Sequence, residues 1–272
     1  MFLKRLINPK PSRILFFIVF YVLYVLLPLI QFKADIVFSH AFFHHVIVFI
    51  IALTIPLFVS IGLNNMIYEK NIIQKENLVI GMVFVLISNP FINTVEAWVA
   101  SFLLLFLFDF LMQSYQKDLP FSQFYYASMI LGILTFIYPN LIFLCLLLII
   151  SGINFSNLNW RIILTILLGM ITPFIFYFVF TFLTDTHFTL PKFFKFSKIT
   201  FGIVHVETLS IIIWGTAVLL ITLFSFFELF MWLYKKSIKS RRAFKSIIWF
   251  FVISILIASN SGIEYFYFSI LP

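Results

Sequence analysis

Residues 124–153 read FYYASMILGILTFIYPNLIFLCLLLIISGI: thirty residues without a charge, interrupted in the middle by Tyr138-Pro139-Asn140. A bilayer-crossing helix needs about 20 apolar residues, so the stretch is too long for one ordinary span and short for two. A Pro-Asn pair punctuates helices, since proline lacks a backbone N–H and asparagine tolerates turn geometry. The reading favoured here is two short helices folding back at Tyr138–Asn140, with one long kinked helix as the alternative.

Outside this stretch the composition repeats the message. Of 272 residues, 63% are apolar and only 10% charged, too few charges to clothe a water-soluble domain of this size. Mean hydropathy is +1.12. Lipid must therefore be the solvent for most of the chain, and the forty phenylalanines fit outward-facing positions in a bilayer. The predicted class is all-α: a single polytopic transmembrane domain over 1–272 with about nine spans and the opening of a tenth in EYFYFSILP. The spans fall at Ile14–Gln31, Ala41–Leu63, Leu78–Ile92, Ala97–Ser114, the pair within 124–153, Ile162–Leu183, Thr208–Tyr234 and Ser246–Ala258. Pro56 marks a kink in the second. The basic start MFLKRLINPKPSR leads into a long apolar run with no small-residue cleavage site, and reads as preceding a retained span.

The cations set the orientation. With the N-terminus in the cytoplasm, and 124–153 counted as a hairpin, fourteen lysines and arginines fall on inner segments. Lys33, Lys192, Lys195 and Lys198 are the four on outer ones. That is the positive-inside bias expected of a cytoplasmic (inner) membrane protein. The formal charge of +8 thus belongs to topology and anionic lipid rather than to nucleic acid, for which no aromatic and basic module is visible. The strongest charge run, YKKSIKSRRAFK, forms a basic cytoplasmic loop over 234–245 that enforces orientation and can attract anionic lipid or an acidic partner. The single cysteine, Cys145, excludes a disulfide framework and paired-cysteine zinc motifs. No phosphate-binding glycine loop, repeat or soluble domain is visible, and no cofactor is expected.

All five histidines fall on the outer side in this topology, with Asp35, Glu96, Asp185, Glu207 and Glu264. His40 and His44 are four apart, the spacing that brings two imidazoles to one helix face and one metal ion. His45 points about a quarter-turn away. Two readings stand: an outer site of metal ligands or acid–base groups, and amphipathic histidines edging the membrane interface. The outer loop 184–207 contains PKFFKFSKITF, in which Lys192, Lys195 and Lys198 recur every three residues among phenylalanines. Such a segment lies flat on a leaflet, either gripping a lipid-linked phosphate or anchoring on ordinary phospholipid. Asp109 and Glu228 lie inside spans, where a charge costs roughly 2.5–3.5 kcal/mol at the centre and less near an interface. They should face protein or water or be protonated, and could pair with Lys117 or the basic segment after Tyr234, or meet a partner's cation; a proton relay is the sharper alternative.

The run from Phe106 through Phe174 (FLFDFLMQSYQKDLPFSQFYYAS… through …NWRIILTILLGMITPF) resembles the membrane module of GT-C glycosyltransferases, which use polyprenyl-phosphate sugars. The likeness lies in short helix pairs, a small-residue-rich helix, a proline turn and a following apolar helix, over about 14–183. It implies that Asp35, in the first outer loop, stands where the catalytic base would, and that the Lys192–Lys198 loop meets the lipid phosphate. The chain departs from that pattern in a first outer loop of about nine residues, no acidic pair beside Asp35 and no large outer domain. The whole chain also resembles small, uncharacterised bacterial polytopic families with the same NWR start to a span.

The leading expectation is a non-enzymatic multi-span subunit that scaffolds or anchors a cell-envelope complex, its partners being the bilayer and other membrane subunits. The alternative is a GT-C-like lipid-linked glycosyltransferase or a degenerate relative, which would add polyprenyl-phosphate as a ligand; a small transporter is third.

Overall fold

The computed structural model describes residues 11–32, 42–69, 78–88, 95–191 and 237–261, together with positions 216, 220, 223, 224, 227 and 231. Among these residues the regular structure is entirely helical. The helices are α1 (Pro11–Phe32), α2 (Phe42–Glu69), α3 (Val79–Ser88), α4 (Val95–Gln113), α5 (Phe121–Ile137), α6 (Cys145–Asn154), α7 (Trp160–Leu183) and α8 (Ile238–Ser261), with a 3₁₀ turn at Pro139–Leu144. Three described stretches are long and apolar enough to cross a membrane: Glu96–Gln113, Trp160–Leu183 and Ile238–Ser259. The expected span Thr208–Tyr234 lies outside the described residues, apart from these six helical positions.

The thirty-residue stretch is two helices. Backbone hydrogen bonds end α5 at Tyr138, whose N–H donates to the Leu134 carbonyl at 2.8 Å, and Leu141 N–H then donates to the Tyr138 carbonyl at 3.0 Å. Pro139 occupies the first position of the 3₁₀ turn, where its missing N–H costs nothing. The chain reverses there. Gly152 near the end of α6 approaches Phe124 near the start of α5, so closely that a Cβ on it would sit 3.6 Å from the Phe124 ring.

α7 then runs parallel to α5. Gly169 backs onto Tyr125 and Ser128, Gly132 onto Met170 and Pro173, and Phe136 lies tilted against Phe174 and edge-on to Tyr177 with centroids 4.7 and 5.3 Å apart. The contact rests on two small-residue steps, Ser128-x-x-x-Gly132 and Gly169-x-x-x-Pro173. Without a hydrophobic drive between helices in lipid, close backbone approach of this kind supplies the attraction. A Cβ on Gly132 would lie 2.7 Å from the Met170 carbonyl oxygen, and one on Gly169 2.6 Å from that of Tyr125. Only glycine fits either place. Tyr125 and Thr172 add a hydroxyl–hydroxyl bond at 3.0 Å across the same interface.

α4 packs antiparallel to α5 and α8, with Phe110 against Tyr126 and Phe108 edge-on to Phe250 at 4.7 Å. Its Leu104, Leu107 and Leu111 are fully buried at the centre of the main core cluster, which α2 and α6 complete. Two buried hydroxyls in this core bond to their own helix: Ser101 donates to the Ala97 carbonyl at 2.6 Å and Thr135 to that of Gly132 at 2.6 Å. That local solution is the one an apolar surround demands. Pro56 sits inside α2.

One boundary differs from expectation. The sequence reading begins the last span at Ser246, after a basic loop, but α8 begins at Ile238. Ser237 caps it, accepting a hydrogen bond from Ser240 N–H at 3.3 Å while its carbonyl accepts one from Arg241 N–H at 3.0 Å. Arg241, Arg242 and Lys245 therefore stand on a helix face and not in a loop.

Candidate functional site: a basic rim at one end of the helices

α4 and α6 finish at one end of the molecule, and α5, α7 and α8 begin there. Lys117, Arg161, Lys239, Arg241, Arg242 and Lys245 are thereby gathered at a single end, whereas Glu96 opens α4 and Asp185 and His187 follow α7 at the other.

Two asparagines fasten this end. Asn154, the last residue of α6, donates through Nδ2 to the Arg242 carbonyl at 2.6 Å and to Ser246 Oγ at 3.0 Å, tying α6 to α8. Asn157 donates to the Ser114 carbonyl at 2.7 Å, tying the segment after α6 to the end of α4. Between them the chain turns through a Schellman motif. Asn157 N–H bonds the Gly152 carbonyl at 2.9 Å and Ser156 N–H that of Ile153 at 3.0 Å, with Ser156 at φ 61° where glycine is usual. Gln116, after α4, is likewise left-handed at φ 60°. Arg242 completes the interlock: its Nη1 reaches Ser156 Oγ at 3.3 Å and its guanidinium lies 6.0 Å from the Tyr115 ring centroid. Tyr115 itself packs edge-on against Phe155 at 5.6 Å.

This construction leaves two clefts. The first, about 470 Å³, is lined by Ile153, Asn154, Ile238, Arg241, Arg242 and Lys245. The second, about 670 Å³, is lined by Gln116, Lys117, Asp118, Ser156, Asn157 and Asn159. Three cations and an amide face the first, which suits an anion; the second mixes one cation and one carboxylate with amides, which suits a polar or zwitterionic contact.

The residues singled out in the sequence are distributed differently. Asp35, His40, Lys192, Lys195, Lys198 and Glu228 lie outside the described residues, as do His205, Glu207 and Glu264. His44 and His45 fall in the first turn of α2. Asp109 is half-buried in α4, and its Oδ2 accepts a hydrogen bond from Gln113 Nε2 at 2.6 Å, so the carboxylate is held by its own helix one turn on. Among the described residues no three histidine, cysteine or acidic side chains group in a metal-binding arrangement. Sequence reasoning missed Asn154 and Asn157 as structural ties. The signal available was two amides interrupting the apolar run just before NWR.

The described residues are those of a helical protein with three helices long and apolar enough to cross a membrane, and with a basic end. The chain belongs to the DUF6427 family, a family of unknown function, whose model matches residues 1–272. Neither a curated protein nor a solved structure matches it.

Proposed function

We propose that this chain is a multi-pass subunit of the cytoplasmic (inner) membrane that scaffolds or anchors a cell-envelope complex, with nine spans and its N-terminus in the cytoplasm. The observation that carries this reading is α7. Only 22% of its span is buried inside the protein. Leu168, Ile175, Phe176, Phe180, Phe182 and Leu183 stay between 56% and 75% exposed, an apolar face for lipid and neighbouring helices. The gathering of cations at one end supports the orientation, by the positive-inside rule.

Isolation of the chain from its native membrane in mild detergent tests the role. The expected result is a stoichiometric partner that leaves the membrane fraction when the chain is depleted. A lone monomer carrying a polyprenyl lipid would contradict it.

That outcome would favour the second reading, a GT-C-like glycosyltransferase. The short α5–α6 pair closed by a proline turn supports it, in the pattern of the resemblance. Its own test is Asp35→Asn, since an enzyme using Asp35 as base loses its function and a scaffold does not.

A further inference from the structure

We infer that the cleft between the end of α6 and the start of α8 binds the phosphate of an anionic glycerophospholipid. The inference rests on the chain spanning a membrane, but not on the scaffold role.

The cations are arranged for one ligand. Arg241 and Lys245 are four apart and Arg242 and Lys245 three apart, so all three project from one side of α8 towards the α6 terminus. Arg242 is fixed beforehand by Ser156, the Tyr115 ring and the Asn154 amide on its own carbonyl, so little side-chain freedom is lost when an anion arrives. Arg241 and Lys245 are exposed, and among the described residues no carboxylate pairs with any of the three. Their charge is therefore uncompensated within the described structure.

The surroundings choose a lipid over a solute. Ile153 and Ile238 flank the cations and are 61% and 60% exposed, which gives acyl carbons an apolar wall beside the charged group. The cleft lies where apolar helices end, at the level where a lipid head group sits. Its volume of about 470 Å³ falls within the roughly 300–1,000 Å³ of small-molecule sites. The neighbouring cleft has one lysine balanced by Asp118 and lacks this match.

The test uses the purified, delipidated full chain, titrated separately with phosphatidylglycerol, phosphatidylcholine and inorganic phosphate and read by native mass spectrometry. We expect phosphatidylglycerol to bind in preference to phosphatidylcholine. The Arg241→Gln/Lys245→Gln variant should lose the preference, by about fivefold for each cation removed. The swapped variant Arg241→Lys/Lys245→Arg should retain it, as should Lys117→Gln in the other cleft. Because Arg241 and Lys245 are exposed, an unchanged melting temperature should accompany the loss. Equal binding of the two lipids, or a double-Gln variant with undiminished preference, would overturn the proposal. Displacement of phosphatidylglycerol by equimolar inorganic phosphate would overturn it in favour of a free-phosphate site.

Discussion

At Tyr138–Asn140 the α5–α6 hairpin closes on bonds to residues three and four away, while at Asn154–Asn157 it closes on residues 43, 88 and 92 positions distant. The backbone of the first end is a turn of local bonds, and proline chemistry is enough to specify it. The second is an interlock of three elements, and its bonds to Ser114, Arg242 and Ser246 form only once α4 and α8 are in place. The contrast separates what a membrane hairpin needs in order to fold back from what it needs in order to join a bundle.

Damage to the stem between the two ends should have the largest effect. Gly169→Leu drives a side chain into the Tyr125 carbonyl and Ser128, and overpacking of this kind should cost about 3 kcal/mol. Thermal unfolding in detergent should show the protein melting early or failing to accumulate, with both ends lost together.

Breaking the distant ties should come next. Asn154→Ala removes both bonds to α8 and leaves the Arg242 carbonyl without that donor, for about 2 kcal/mol; Asn157→Ala removes one bond, for about 1 kcal/mol. Proteolysis should then release α8 from Asn154→Ala while the α5–α6–α7 stem stays protected. If both variants melted like the parent, the interlock would carry no stability.

Smaller changes sharpen the contrast. Pro139→Ala should cost under about 1 kcal/mol, because it only loosens the unfolded chain around a turn that local bonds still specify. Gln116→Gly should raise the melting temperature slightly. A non-glycine residue at φ 60° carries roughly 1 kcal/mol of strain, which glycine relieves.

The same division explains what the sequence made legible. The break at Tyr138–Asn140 and the extents of α4 and α7 follow from local signals: a proline, an uncharged run, the NWR boundary. The start of α8 was read eight residues late, because six cations in twelve residues look like a loop and Ser237 as a cap is one hydroxyl among them. The partners of Asn154 and Asn157 were not legible at all, since nothing in a sequence window connects residues 43 to 92 positions apart. Asp109 shows the intermediate case. Its partner Gln113 is four residues on and legible from helix spacing, although charge alone points to a cation. The gathering of cations at one end was legible only through the hairpin, since a single kinked helix over 124–153 would have reversed the parity of every later segment.

That parity is the central claim, and cysteine accessibility tests it most directly. In a Cys145→Ala background, single cysteines at Lys117, Asn159, Arg241 and Thr186 would be exposed to a membrane-impermeant thiol reagent in intact cells and again after permeabilisation. The account predicts that Thr186→Cys reacts in intact cells, whereas Lys117→Cys, Asn159→Cys and Arg241→Cys react only once the membrane is opened. Labelling of Lys117→Cys and Asn159→Cys from opposite sides would contradict it.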